Sequence, residues 1–294
     1  RPAVASGDLF SPARALDRAV ISVMTGTLRS QYNYTGHSLF VYASGMPRRA
    51  LIALLCFFLS CGGAGGRWAI AGPALRVLVL DNAPPMSFRD EFGRLSGFSV
   101  DVARAVCDEM RVQCVFDVAA QSDLIDRLIR GQADIVATGL LETPERHGKL
   151  LFAKPYYRSF SMWLARPDVK PGQTGIRVAV VSGSAQEEYG RRQGWKMHPV
   201  HTNGDLGGAI VGGHVQAALV PMATALTLQK SEAYRRLELS ATVLRSPELG
   251  GDASFGVSLF RPELLDEINA ALERIKRNGT YDRINSRYLP FRVS

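Results

Sequence analysis

The chain has 294 residues, 46% of them hydrophobic and 21% charged, a composition that excludes a disordered or fibrous protein and a length that suffices for two modest lobes or one large domain. The net charge is +8, but residues 1–71 hold seven Arg against two acids, which leaves 28 of the 35 basic and 25 of the 27 acidic side chains in the remainder. Since that remainder has no Lys/Arg run interleaved with aromatic residues, we expect no nucleic-acid partner.

Residues 46–60 have the order of a secretory signal: a start Met, two Arg and then an unbroken apolar stretch. The apolar stretch is too short to cross a bilayer as a helix, which needs about 20 residues. Ala69-Ile70-Ala71 fits the small-x-small cleavage pattern. We therefore predict that residues 46–71 are a signal peptide, that residues 1–45 are a non-native, disordered upstream extension, and that the protein is exported to the periplasm.

Two alternatives concern the same segment. Leu59-Ser60-Cys61 resembles the end of a lipoprotein signal, which would make Cys61 a lipidated N-terminus. The pair Arg48-Arg49 before the apolar stretch indicates the twin-arginine route as the alternative to general secretion.

Beyond residue 72, short β-branched apolar runs alternate with amphipathic helical stretches, which is typical of α/β units with largely parallel sheets. The first series predicts, in chain order, a strand at 75–80, a helix around 100–110, a strand at 112–116, a helix at 124–129 and a strand at 134–137. After a turn-rich segment, the second series predicts strands at 177–181, 197–201 and 217–220 with helices at 185–192 and 206–211 between them. The chain then returns through 255–259 to a helix at 262–277 and a last helix with Tyr281, Ile284 and Tyr288.

Two similar halves that follow one another predict two lobes, with the chain crossing between them at 160–165 and 255–259. We assign residues 74–163 plus 256–294 to lobe 1 and residues 164–255 to lobe 2. Because ligands in open α/β sheets bind beyond the carboxyl ends of the strands, the predicted site is a cleft between the lobes that closes by a hinge motion.

Cys107 and Cys114 are the two cysteines outside the predicted signal peptide. One lies near a helix end and the other enters the next strand, so an oxidising compartment would make them natural disulfide partners. The alternative is a pair of buried free thiols. The five His show no metal-ligand spacing, and we predict no metal and no cofactor.

Seven motifs follow one another along the chain. They are Ala83-Pro-Pro-Met-Ser-Phe88, the segment 93–101, Gly131-Gln-Ala-Asp-Ile-Val-Ala137, Thr143-Pro-Glu-Arg146, the segment 152–157, the segment 180–186 and Asn278-Gly-Thr-Tyr281. In this order and spacing they resemble the periplasmic amino-acid-type solute-binding proteins of family 3, which feed ABC importers, and the resemblance extends over 75–289.

The resemblance implies the two-lobed periplasmic binding protein fold (type II), with a mostly parallel sheet flanked by helices in each lobe. It also implies a small-molecule ligand and an ABC-importer permease as partners, and we expect a monomer. The spacing of Cys107 and Cys114 matches a disulfide found in basic-amino-acid binders of this family.

Candidate ligand contacts in lobe 1 surround Arg146. Thr143-Pro144 is a good helix start, since Thr caps free N–H groups and Pro loses no donor there. An Arg in that first turn suits a carboxylate or phosphate, and the resemblance implies that Arg146 holds the ligand's carboxylate, with Thr138 and Gly139 offering a hydroxyl and backbone groups. The alternative is an ordinary surface Arg.

In lobe 2, the resemblance assigns ligand contacts to Ser184 and Gln186 at the start of a helix, where the alternative is an ordinary helix cap. The family usually holds the ligand's ammonium with two carboxylates, but this chain has Leu80 and Pro221 at those positions. Asp81 would serve only if the strand end shifts by one residue. The aromatic side chains that sandwich basic amino acids are replaced by Ala83 and Gln121.

These departures predict a ligand that carries a carboxylate or another anionic group but needs no α-amino group. The leading functional hypothesis is an exported solute receptor without enzymatic activity. A cyclohexadienyl or arogenate dehydratase on the same fold would need a general acid, for which Glu142 and Glu187 are the candidates. A periplasmic accessory or sensor protein with no tight ligand is the third possibility.

Overall fold

The structure of the protein is a computed structural model, which describes residues 74–293. The predicted upstream extension, the signal peptide and Cys61 lie outside the described residues. In the described part, no helix combines the length and the apolar character that a bilayer span requires.

Ten strands of the described part join into one sheet in the order β4-β1-β5-β12-β7-β10-β8-β9, with β6 beside β12 and β11 beside β7. The strands are β1 (Leu75–Leu80), β2 (Phe88–Arg89), β3 (Leu95–Ser96), β4 (Cys114–Ala119), β5 (Ile135–Leu141), β6 (Leu151–Phe152), β7 (Tyr157–Ala165), β8 (Arg177–Val181), β9 (Lys196–Val200), β10 (Ala217–Pro221), β11 (Ser240–Val243) and β12 (Gly250–Val257). The helices are α1 (Phe98–Met110), α2 (Leu124–Ile129), α3 (Ala185–Arg192), α4 (Asp205–Val211), α5 (Met222–Gln229), α6 (Glu232–Arg236), α7 (Leu264–Arg277) and α8 (Thr280–Tyr288).

The predicted α/β class with two lobes is confirmed. The first lobe is built on β1, which runs parallel to β4 and β5. The second is built on β8, which runs parallel to β9 and β10. Separate hydrophobic clusters cover the two faces of the sheet in each lobe. Each lobe therefore has its own core, as parallel strands covered on both faces require.

The strands β7 and β12 connect the two lobes and pair with each other antiparallel at their junction, where Tyr157 faces Ala253 and Phe160 faces Gly250. Beyond that junction, β12 pairs with β5 of the first lobe, and β7 pairs with β10 of the second. Because a two-strand connection is stiff to stretching but can bend and twist, it suits a hinge.

Sequence periodicity located several elements with their observed bounds, namely β1, β8, α2 and α3, whereas the predicted strand at 112–116 lies instead at Cys114–Ala119. The sequence did not predict β11, α5 or α6, and it did not indicate that β7 extends over nine residues. The predicted start of an α-helix at Thr143 is wrong. Only a three-residue 3-10 turn, Pro144–Arg146, follows, and the Thr143 side chain makes no capping hydrogen bond.

An aromatic cluster joins the C-terminal helices to the first lobe. Phe98 of α1 stacks on Tyr156 with ring centroids 5.8 Å apart, and Tyr156 contacts Phe255 of β12 at 4.5 Å. Tyr281 of α8 donates a hydrogen bond to the backbone carbonyl of Tyr156, and Ser99 shares a 2.7 Å hydrogen bond with the Tyr156 hydroxyl. These buried hydroxyl groups are satisfied, so the cluster fixes the residue that precedes β7.

The disulfide between Cys107 and Cys114 is present and ties the last turn of α1 to the start of β4, with the two Cα atoms 6.2 Å apart. Since the bond closes a short loop, it removes conformational freedom from the unfolded chain.

Reduction of this disulfide is expected to lower the free energy of unfolding by about 2.5 kcal/mol, the loop-entropy value for a closure of this length. The measurement is urea unfolding with and without reductant in a Cys56→Ser/Cys61→Ser background, which leaves Cys107 and Cys114 as the available thiols. A Cys107→Ala/Cys114→Ala variant serves as control, because reductant should leave its unfolding curve unchanged. Equal stability of the oxidised and reduced forms would contradict the expectation.

An ion pair anchors the start of β5 to β1. The side chain of Asp134, 4% exposed, accepts hydrogen bonds from the backbone N–H of Arg76 at 2.8 Å and from its guanidinium at 2.8 and 3.2 Å. Burial acts to raise the pKa of Asp134, but the hydrogen bonds and charge of Arg76 outweigh it, so the pKa lies below the ordinary value of 3.8. The ionised form therefore stabilises the fold above that ordinary value.

We expect Asp134→Asn to lower the free energy of unfolding by about 2 kcal/mol at pH 7, since charge-assisted hydrogen bonds are lost. A carboxyl with a lowered folded pKa contributes stability above its unfolded pKa and loses it as the pH falls through the folded value. The difference between variant and wild type should therefore shrink below about pH 4. Denaturant unfolding from pH 7 to pH 3 tests this, with the exposed Asp126→Asn as control; a constant difference would refute it.

Candidate functional site

A cleft lies between the carboxyl ends of β1 and β5 in the first lobe and the start of α3 in the second, and its cavity volume is about 70 Å³. Its lining combines apolar side chains with hydroxyl and amide groups. The lining residues are Leu80, Ala83, Met86, Gln121, Thr138, Gly139, Leu140, Leu141, Arg146, Tyr157, Ser159, Val181, Ser184, Ala185, Gln186, Asn203, Leu219, Pro221, Ala223 and Thr224. Arg146 is the one charged residue among them, and none is an acid.

Arg146 is 9% exposed and supplies the positive charge of the cleft. Its Nη1 donates to the backbone carbonyl of Leu141 at 2.7 Å, and among the described residues no carboxylate lies within ion-pair distance. Burial lowers the pKa of the guanidinium, while the charges of Glu188 and Glu145 oppose that shift. An arginine remains protonated in spite of such a shift, so the cleft holds a cation with several unused N–H donors.

Thr138 and Gly139 lie on β5 at the floor of the cleft. The Thr138 hydroxyl is buried and has no hydrogen-bond partner within the described chain, which is an uncommon state for a buried polar atom and indicates a place for a ligand atom. Gly139 has φ +69°, and a Cβ there would lie within 3 Å of the Tyr157 ring. Only glycine therefore lets β5 approach Tyr157 this closely.

Tyr157 and Ser159 bring the connecting strand β7 into the cleft. Burial raises the pKa of the Tyr157 phenol well above its ordinary value, and the hydrogen bond with Ser159 opposes this only in part. The phenol therefore stays neutral and can act as a hydrogen-bond donor at any ordinary pH. Neither residue was among the predicted contacts, although Tyr157 closes one of the motifs that carried the resemblance.

The second lobe contributes the N-terminus of α3. Ser184 caps the helix, because its hydroxyl oxygen accepts from the backbone N–H of Glu187 at 3.1 Å. Gln186 donates from Nε2 to the hydroxyl of Ser161 at 2.9 Å, and Ser161 in turn donates to the carbonyl of Leu249 at 2.7 Å. Both predicted residues line the cleft and also have structural partners, which leaves the hydroxyl proton of Ser184 and the amide oxygen of Gln186 for a ligand.

Asn203 is a lining residue that the sequence did not indicate. It precedes α4, is 6% exposed, and its Oδ1 accepts a 3.2 Å hydrogen bond from the hydroxyl of Thr224. Its amide nitrogen has no partner among residues 74–293. No periodicity or motif marks this Asn, because it lies in a turn whose position depends on how the lobes meet.

Asp81 is the predicted site residue that the structure does not bring to the cleft. β1 ends at Leu80, whose side chain lines the cleft, while Asp81 is exposed and absent from the lining. Because successive side chains alternate along a strand, the residue after an inward Leu80 points away. Leu80 and Pro221 thus occupy the two places where the family usually has ammonium-binding carboxylates.

The two candidate general acids lie outside the lining as well. Glu142 is 58% exposed and lies 3.7 Å from Nε2 of His147. Glu187 accepts a 2.7 Å hydrogen bond from the backbone N–H of Gly183 and pairs with Arg191. The described residues also contain no group of three or more His, Cys, Asp or Glu placed to hold a metal ion. The cleft geometry suits binding of an anionic or neutral molecule.

The lobes touch each other across the mouth of the cleft. The carbonyl of Asn82 accepts from the backbone N–H of Gly204 at 2.9 Å, and Asn82 Nδ2 donates to the Thr202 hydroxyl at 3.2 Å. Arg192 of α3 pairs with Glu145 of the first lobe at 2.9 Å. These contacts describe a closed arrangement.

A family model described as bacterial extracellular solute-binding proteins, family 3, matches residues 75–291. The arginine-binding periplasmic protein of Mannheimia haemolytica is 26% identical over 227 residues, which cover 75% of this chain and 93% of that protein. The structure of an ancestral arginine-binding protein bound to arginine has a TM-score of 0.66 at 27% identity and covers 74% of this chain and 98% of its own.

A second similar structure is that of an ancestral amino-acid-binding protein described as a precursor of cyclohexadienyl dehydratase. It has a TM-score of 0.64 at 26% identity and covers 73% of this chain and 95% of its own. This chain therefore shares its fold with these amino-acid-binding proteins.

Gly183 permits the closed arrangement, and a side chain there should open it. Gly183 has φ +74°, and a Cβ at this position would lie 2.6 Å from the backbone Cα of Ser122 in the opposite lobe. Gly194 has φ +69° with nothing within 4 Å of its Cβ position, so it is a matched control. Both Gly183→Ala and Gly194→Ala should lose about 1 kcal/mol of stability through backbone strain.

Only Gly183→Ala should also increase the radius of gyration measured by small-angle X-ray scattering, because the new Cβ forces the lobes apart. Equal radii for the two variants would show that Gly183 does not control the approach of the lobes.

Proposed function

This chain belongs to the bacterial extracellular solute-binding proteins of family 3, and from that premise we propose that it is an exported receptor that captures a small carboxylate-bearing solute between its lobes and delivers it to the permease of an ABC importer. The observation that carries the ligand class is the buried Arg146 in a cleft whose lining contains no acid. The named relatives are binding proteins, and this chain likewise is a binding protein rather than an enzyme.

The absence of acids from the lining argues against a basic amino acid as ligand. An arginine or lysine side chain and an α-ammonium group each need a carboxylate or several carbonyl acceptors, since an unpaired buried cation is costly. The cleft offers a second cation no carboxylate, and the charge of Arg146 repels it. A carboxylate, in contrast, can accept a bidentate pair from the guanidinium and further hydrogen bonds from Thr138 and Ser184.

The remaining proposals concern the whole chain. We propose that residues 46–71 are removed on export and that the mature protein is a monomer in the periplasm. The alternative for this segment is a lipid anchor on Cys61. For the lobes we propose the bounds 74–163 plus 256–294 and 164–255. The ligand contacts proposed are Thr138, Gly139, Arg146, Ser184 and Gln186, with Asp81 left out because it does not line the cleft.

The ligand proposal is tested with pairs of compounds that differ only in the α-amino group, such as glutarate with glutamate and 4-methylpentanoate with leucine, together with arginine and lysine. Thermal unfolding of the purified protein should show stabilisation by a deaminated member and none by arginine or lysine. A ligand at 100 times its Kd adds about 2.7 kcal/mol to the free energy of unfolding.

Arg146→Lys should weaken binding of the stabilising carboxylate about tenfold or more, because the planar bidentate contact is lost while the charge remains. Ser184→Ala should weaken it less, and the exposed Arg191→Ala should leave it unchanged. Tight binding of arginine that Asp81→Asn abolishes would refute the proposal. A lack of stabilisation by every compound would favour the accessory or sensor alternative.

A further inference from the structure

The connecting strand β7 has two different faces. Tyr157 and Ser159 are buried and line the cleft, whereas Arg158 and Phe160 are exposed and line a second depression on the opposite side of the strand. This follows from the period of two in a β-strand. We call the second depression the rear groove; its lining residues are Arg158, Phe160, Val243, Leu244, Arg245, Ser246, Pro247, Leu249, Gly250 and Gly251.

Two glycines leave the rear groove open. Gly250 lies opposite Phe160 in the β7–β12 register, and a Cβ on it would be 3.2 Å from Phe160 Cδ1, so the ring packs directly on the backbone of β12. Gly251 has φ +141°, a conformation that favours glycine, with nothing within 4 Å of its Cβ position. The groove has a cavity volume of about 570 Å³, which is enough for a small molecule.

The charges of the rear groove are positive and lack partners. Arg158 and Arg245 are exposed, and within residues 74–293 neither has a carboxylate within 4.0 Å. Asp252 lies opposite Arg158 in the strand register but forms no ion pair with it. The neighbouring Glu248 pairs with Arg192 at 2.9 Å and not with Arg158 or Arg245. Arg192 also pairs with Glu145 and Glu188.

Apolar surface lies beside these two charges. Phe160 is 40% exposed and Val243 is 49% exposed, and both line the groove. An open concave surface with two unpaired guanidinium groups next to an aromatic ring and a branched side chain is complementary to a molecule with an anionic end and an apolar end. When only water fills the groove, the apolar surfaces of Phe160 and Val243 remain hydrated, which is unfavourable.

We propose that the rear groove is a second binding site for a small amphipathic carboxylate, with the carboxylate held by Arg158 and Arg245 and the apolar part on Phe160 and Val243. The site is separate from the cleft and does not depend on the function proposed for it. Since β7 forms a wall of both sites, a ligand in the rear groove contacts the strand that connects the lobes.

The test is a titration of the isotope-labelled full-length protein with 3-phenylpropionate, followed by nuclear magnetic resonance of backbone amides. Saturable shifts at Gly250 and Gly251 report the rear groove, and shifts at Thr138 and Gly139 report the cleft. The neutral amide, 3-phenylpropanamide, should not produce the shifts at Gly250 and Gly251, because it lacks the charge that the two arginines bind.

Arg158→Gln/Arg245→Gln should weaken the rear-groove binding at least about tenfold, as expected for loss of two charge-assisted contacts. Arg235→Gln/Arg277→Gln makes the same change in charge at two exposed arginines outside the groove and should leave the affinity unchanged. All four positions are exposed, so none of these changes disturbs a core.

Three results would overturn the proposal: no saturable shift at Gly250 and Gly251, an undiminished shift in Arg158→Gln/Arg245→Gln, or equal binding of the neutral amide. Shifts confined to Thr138 and Gly139 would overturn the rear-groove site and leave the proposed cleft function intact. If no carboxylate binds in the cleft, the shifts at Gly250 and Gly251 still report whether the rear groove is occupied.

Discussion

The buried guanidinium of Arg146 sets the conditions for the rest of the cleft. A cation can be buried at a tolerable cost only where its donors and its charge meet partners. The protein supplies one carbonyl, that of Leu141, and keeps Glu145 and Glu188 near enough to act on its pKa but outside ion-pair distance. Under the proposed function, an anionic ligand supplies the remaining compensation, and a cationic one would oppose it.

The two faces of strand β7 carry different kinds of side chain. Its buried face carries Tyr157, Ser159 and Ser161, so polar groups point toward the cleft and toward Gln186. Its exposed face carries Arg158 and Phe160. The buried Ser159 and Ser161 and the exposed Phe160 depart from the usual strand pattern, in which apolar residues are buried and polar ones are exposed. Ser159 lines the cleft, and Ser161 forms hydrogen bonds with Gln186 and Leu249.

Closure of the lobes depends on glycines whose backbone lies very close to residues of the opposite lobe. Gly183 lies against the backbone of Ser122, and Gly204 lies against Asn82, at distances that a Cβ would not permit. The backbone hydrogen bond between Gly204 and Asn82 adds little net attraction, because it replaces hydrogen bonds to water. The lobes can then exchange between open and closed states at low cost, and the free energy of ligand binding can decide the population.

The sequence by itself determined the α/β class, the bounds of β1, β8, α2 and α3, and the Cys107 and Cys114 pair, because local periodicity and short-range spacing encode them. The resemblance also indicated Thr138, Arg146 and Ser184, which the structure brings to one cleft. The exclusion of Asp81, the inclusion of Asn203, the course of β7 and the 3-10 turn after Thr143 were decided by the tertiary structure. Each depends on which residue faces which across two lobes, and hydrophobic periodicity along the chain does not encode such long-range placement.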